Sequence, residues 1–207
     1  MRLLKTTSIF IFLFAIVHSH IFSQTVYSNF INTFSGVITL PGTLNNGLVS
    51  FHPFMGNAYD RSVNKRTTSI TGTLRLIKDH FGQDYNAYYF NGDENNYLYL
   101  PHAPELNFDT SFSISLWIRF DSNEVFNATN LSNTAIQDNF FILGKGNYDS
   151  QSYSLYINHS NQDRITSLYR SPIRYSKPAT KNNQGLDRMW HHIVTVNNTQ
   201  TKKNDIY

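Results

Sequence analysis

The 207-residue chain contains no cysteine, so no disulfide braces it and no lipid can be attached at a processed N-terminal cysteine. Long apolar runs are missing too. The run Ile9–Val17 is nine residues, where roughly twenty are needed to cross a bilayer as a helix. Charge of one sign is also scarce, with 17 basic against 14 acidic residues. Arg61, Lys65 and Arg66 make one short cluster, read as a solvated loop, and no basic stripe of the kind that tracks a nucleic-acid backbone. The chain has no Gly-x-Ser-x-Gly elbow for a nucleophilic serine. Its acidic residues, among them Asp60, Asp93, Glu94, Asp121, Glu124, Asp149 and Asp163, fall in turn-like text. Glycoside hydrolysis needs two carboxyl groups about 5 to 10 Å apart, hence acids two or four apart on a strand facing a cleft. No candidate strand carries that pattern, and the chain reads as non-catalytic.

The N-terminus MRLLKTTSIFIFLFAIVHSHIFSQ places Arg2 and Lys5 before the short apolar run and small polar residues after it. That is the layout of a secretory signal peptide, residues 1–23, with Ser23 the last residue removed. Without Arg2 and Lys5 the balance becomes 15 basic to 14 acidic, close to neutral. A cysteine-free exported chain points to a bacterial secreted protein. Residues 24–46 lack a sustained period and carry Gly and Pro. They read as a leader or linker with one short edge strand near Val37–Leu40.

From residue 47 onward apolar and polar residues alternate in runs of five to ten, separated by turn clusters. A period of two marks half-buried strands. In SFSISLWIRF, Ser111 to Phe120, the residues Phe112, Ile114, Leu116, Ile118 and Phe120 share one side, and Ser111, Ser113, Ser115, Trp117 and Arg119 the other. Similar patterns predict strands at Leu48–Phe54, Ser69–Ile77, Asn86–Phe90, Tyr97–Leu100, Phe140–Leu143, Tyr153–Ile157, Ile165–Tyr169 and Trp190–Val196. Nine short strands and no helix argue for an all-β antiparallel sandwich. Asp121 to Asn139 has no periodicity and reads as a long loop insertion. Asn127, Asn130, Asn158 and Asn197 stand in sequons, which matter only in a eukaryotic secretory pathway.

Several stretches, in order, resemble the laminin-G-like jelly rolls of the concanavalin A-like lectin and glucanase superfamily. They are GLVSFHPFMGNAYDRS, HFGQDYNAYYFNGDENNYLYLPHAPELNF, SFSISLWIRF, FFILGKGNYDSQSYSLYIN and MWHHIVTV. The resemblance covers residues 47–207 and implies a concanavalin A-like jelly roll. It also implies a non-catalytic module that binds glycans or extracellular proteins, or else an accessory module or fragment of a secreted glycoside hydrolase. Val63 stands where the family's first acidic loop has Gly. The strand and hairpin that follow the Trp-His-His phrase in the family are not seen, so the domain is expected to be incomplete at its C-terminus and part of a larger polypeptide. Ile206 and Tyr207 then read as the start of a partner strand that does not continue.

His191 and His192 are neighbours on a strand and point to opposite faces, which excludes a shared metal. Trp190, His192, Val194 and Val196 fall on one face, and His191, Ile193 and Thr195 on the other. Sugar binding would use flat side chains to stack on pyranose faces, for which Tyr97, Tyr99, Trp117, Tyr156 and Tyr169 are candidates where they face outward. Calcium takes oxygen ligands from turn-rich loops. Asn57, Asp60, Ser62 and Asn64 offer one such set, and the resemblance implies a structural calcium near that loop. Asn147, Asp149 and Gln151 offer a second set, comparable to a calcium position of pentraxin-like relatives. The alternative for Asp60 and Ser62 is plain turn hydrogen bonding.

Overall fold

The computed structural model describes residues 46–91, 95–108, 110–120, 139–146, 152–158, 164–172, 174–181 and 187–207, and the backbone of 9–18. The short strand expected near Val37–Leu40, the insertion up to residue 138, the loop residues Asn147, Asp149 and Gln151, and the sequons at Asn127 and Asn130 lie outside these. The described residues contain thirteen strands and no α-helix. In chain order the strands are β1 (Ile9–His18), β2 (Leu48–His52), β3 (Ser69–Thr71), β4 (Arg75–Ile77), β5 (Ala87–Phe90), β6 (Tyr97–Tyr99) and β7 (Phe112–Phe120). They continue with β8 (Asn139–Lys145), β9 (Ser152–Asn158), β10 (Arg164–Ser171), β11 (Arg174–Ser176), β12 (His191–Asn198) and β13 (Lys203–Ile206). One turn of 3-10 helix, Pro104–Leu106, precedes β7.

Every pairing is antiparallel. A seven-stranded sheet runs β13-β12-β7-β1-β5-β4, with β2 also paired to β1, and a four-stranded sheet runs β11-β10-β9-β8. β7 shows why they stack, because Phe112, Ile114, Leu116, Ile118 and Phe120 are buried while the alternate residues are half-buried. That face packs against Tyr153, Leu155 and Ile157 of β9 and Ile165 and Tyr169 of β10, with Ile193 of β12 alongside. Two sheets joined through one apolar layer make a sandwich. Phe108, just before β7, seals the layer by stacking on Phe112 at 4.5 Å, and its carbonyl accepts the Tyr169 hydroxyl at 3.0 Å.

Four features depart from the sequence reading. The run Ser69–Ile77 is broken at Gly72 (φ 75°), so that β3 pairs with β6 and β4 with β5. Two further strands, β11 and β13, form on edges that β10 and β12 offer. The partner strand begins earlier than expected: β13 pairs with β12 from Asn198↔Lys203 to Thr195↔Ile206. Tyr207 and Val194 then exchange N–H to carbonyl bonds at 2.9 and 3.0 Å. Finally, residues 9–18 of the segment read as a signal peptide form β1, in the middle of the large sheet.

Candidate ligand-binding surface

β3 and β6 form a small separate sheet, with Ser69 opposite Tyr99 and Thr71 opposite Tyr97. Directly opposed residues share a face, so two phenol rings and two hydroxyls lie on one surface. Leu98, between the tyrosines, packs the other way against the buried cluster of Phe54, Ala58 and Tyr88. The strand is thereby anchored by its middle residue, while Tyr97 stays 45% and Tyr99 51% exposed. Residues two apart on a strand are separated by about 7 Å, so the rings stand as neighbouring platforms. The turn after β3 clamps the unit. Asn96 Oδ1 accepts the Thr73 N–H at 2.7 Å and Asn96 Nδ2 donates to Asn91 Oδ1 at 2.7 Å. A Cβ at Gly72 would collide with Asn96 Oδ1 and the Asn95 carbonyl, so the close approach needs glycine.

Trp117 has a different environment. It sits on the outer face of β7, where His80 stacks on it at 3.9 Å and 17°, and His192 lies at 5.1 Å and 26°. Ser115 Oγ and His192 Nε2 share a hydrogen bond of 2.8 Å, and the Arg119 guanidinium lies 5.3 Å over Trp190. His80 is delivered by the loop after β4, which is set by Asp79. The Asp79 carboxylate accepts the N–H groups of Phe81 (2.8 Å) and Gln83 (2.9 Å) and the Asn86 amide (3.3 Å). Burial is the main cause that lowers the His80 pKa to about 4, with Asp79 opposing and His192 assisting. Burial also lowers that of His192. Both imidazoles are neutral at pH 7 and serve as flat packing partners, so Trp117 is engaged within a stack. His191 turns away to share a 2.7 Å contact between its Nε2 and Asp187 Oδ1, separating the two histidines as the strand period requires.

Tyr156 and Tyr169, the other two expected platforms, are 4% and 3% exposed and offer no open ring face. Tyr169 is a core residue of the sandwich. Tyr156, on the opposite face of its sheet, has Phe141 at 5.4 Å and the Lys177 ammonium 5.7 Å from its ring.

The proposed calcium loop is built on nitrogen donors. Asp60 Oδ1 accepts the N–H groups of Phe51 (3.0 Å) and Ser62 (2.8 Å), and Oδ2 accepts that of Arg66 (3.1 Å). The Arg66 guanidinium lies 3.8 Å from Oδ2. It also donates to the Val49 carbonyl and to Glu105 Oε2, and its side chain is only 11% exposed. Burial pushes the Asp60 carboxyl up, but the hydrogen bonds from Phe51, Ser62 and Arg66 outweigh it and hold its pKa below the usual value. Asn57 closes its own turn, accepting from the Tyr59 N–H at 3.0 Å and donating to the Met55 carbonyl at 3.2 Å. Both Asp60 oxygens face N–H donors and the charge has its counter-ion, so these residues do not fit a divalent cation. No cluster of three His, Cys, Asp or Glu residues is present among the described residues. Arg66, expected in a solvated loop, is an internal strut; nothing in the sequence sets it apart from Arg61 and Lys65. His80 was also not foreseen as a site residue, although an acid at 79 followed by Gly82 is the composition of a tight turn.

No family model, curated protein or solved structure matches the chain. What the surface can bind follows from its chemistry. Two half-exposed phenol rings with hydroxyls alongside suit a ligand with flat apolar faces rimmed by hydroxyl groups.

Proposed function

We propose that the chain is an exported, non-catalytic sandwich module of laminin-G-like, jelly-roll type that binds carbohydrate on the β3–β6 surface. The observation that carries this reading is the pair of outward rings, Tyr97 and Tyr99, facing the same way as Thr71 and Ser69. Tyrosine is suited to such a role because its ring stacks on the C–H face of a sugar while its hydroxyl stays wet. The order of sequence phrases supports the jelly-roll assignment, and the leader-like N-terminus supports export.

The test is a glycan array followed by calorimetry on the best ligand. Tyr97→Ala or Tyr99→Ala should each weaken binding by roughly tenfold, since a ring contact is worth about 1 kcal/mol or somewhat more. Phe at either position should retain most of the affinity. Hydrolysis of a polysaccharide without measurable glycan retention would sink the reading in favour of a hydrolase.

A further inference from the structure

β3 and β6 repeat one arrangement of groups along their length. Tyr97 lies across from Thr71 and Tyr99 across from Ser69, so each ring has a hydroxyl beside it. The second such unit is displaced from the first by one strand repeat, about 7 Å. A pyranose is no broader than a phenol ring, so a single sugar covers one unit and leaves the other bare. The spacing is also held in place. Leu98, between the rings, packs on the cluster of Phe54, Ala58 and Tyr88, and Asn96 ties the start of β6 to the turn after β3. Two fixed units of the same kind match a ligand that itself repeats, and their preorganisation lowers the ordering cost of binding it.

We propose that the β3–β6 surface takes an extended, neutral polysaccharide and reads successive sugar units along β6. The inference rests on the carbohydrate reading above and narrows it. Tyr97 and Tyr99 face the same way, so successive sugars must turn apolar C–H faces to one side. An extended chain of equatorially linked pyranoses does this, because its axial C–H bonds point to both faces of every ring. A coiled, axially linked chain rotates each successive face away from a common plane. Charge narrows the class further. Ser69-Ile70-Thr71 and Tyr97-Leu98-Tyr99 contain no Asp, Glu, Lys, Arg or His, so the two strands carry no cation to pair with a uronate or a sulfate. Once one sugar stacks on either ring, its linked neighbour is held at high effective concentration over the other. Affinity therefore grows with chain length until both rings are covered.

The test is an NMR titration of the intact chain, which reads weak affinities, with cello- and xylo-oligosaccharides from monosaccharide to hexasaccharide. Malto-oligosaccharides serve as the coiled control. Affinity for at least one extended series should rise about tenfold or more with length and then level off, since one further ring contact is gained. Tyr97→Ala and Tyr99→Ala should each flatten the rise, so that monosaccharide and hexasaccharide differ by less than about threefold. Phe at either position should preserve it. Raising salt from about 0.05 to 0.5 M should change the affinity by less than about twofold. Equal affinity for monosaccharide and hexasaccharide, a rise that persists in either alanine variant, equal binding of the malto series, or a loss of about tenfold in high salt would each overturn the proposal while sugar binding stands. So would another glycan retained at Tyr97 and Tyr99 with neither extended series bound. Retention of no glycan at all would overturn both.

Discussion

Asp60 shows how one side chain fixes a loop. Its carboxylate gathers three backbone N–H groups from both sides of the loop, and Arg66 closes the arrangement from beneath. Asp60→Ala would leave those three backbone donors without their acceptor and take from the largely buried guanidinium the carboxylate 3.8 Å away, and should cost about 3 kcal/mol in urea unfolding with an unchanged m value. The depressed pKa of Asp60 also sets a pH window. Its contribution is complete above the unfolded carboxylate value, about 4, and is lost as pH falls through the lower folded value. His80 acts in an adjoining window. Its folded pKa of about 4 lies below the usual imidazole value of 6.5, so the unfolded chain takes up the proton first. Stability is therefore full above pH 6.5 and declines as pH falls towards 4. His80→Phe keeps a flat ring on Trp117 and removes the titration. The variant's Tm should change less than that of the wild type between pH 6.5 and 4, while the loss below pH 4 from Asp60 persists.

Elements were legible where one face is covered and the alternation runs unbroken. β7 is such a case, because five apolar residues at a period of two fix the face and register together. The division of Ser69–Ile77 was hidden, since alternation continues through Gly72 and the clamping residue, Asn96, is distant in the chain. β13, with the sequence KNDI, has no strand pattern and exists because β12 offers an edge and the turn is closed by Asn198, whose Oδ1 accepts from Gln200 and Thr201. Gly72 makes the element scale testable. Gly72→Ala would force a side chain into Asn96 at a positive φ, and should cost about 1 to 3 kcal/mol. Amide exchange should quicken in β3 and β6 while β7 and β9 stay protected. Uniform exchange changes across both sheets would show that the turn is not a local clamp.

At the scale of the molecule, the sandwich was readable from the number of short alternating runs and the absence of any helical period. Which tyrosines stay exposed was not. Tyr97, Tyr99, Tyr156 and Tyr169 all stand in strands, and a period of two says which residues share a face but not which face is covered. Tyr169 lies in the layer against β7 and Tyr156 beneath its neighbours, whereas Tyr97 and Tyr99 belong to a small sheet anchored from below by Leu98. The poor fit of Asp60 to a cation was hidden for a similar reason, because composition shows the acid but not the arginine that folds back onto it. The most direct measurement of the central claim is a map of where an oligosaccharide lands, by 1H–15N chemical-shift perturbation with the array's best ligand. Saturable shifts concentrated on Ser69–Thr71 and Tyr97–Tyr99, abolished in a Tyr97→Ala/Tyr99→Ala double variant that retains its fold, are the expected result. Shifts concentrated around Trp117 and His192, or binding undiminished in the double variant, would contradict the account.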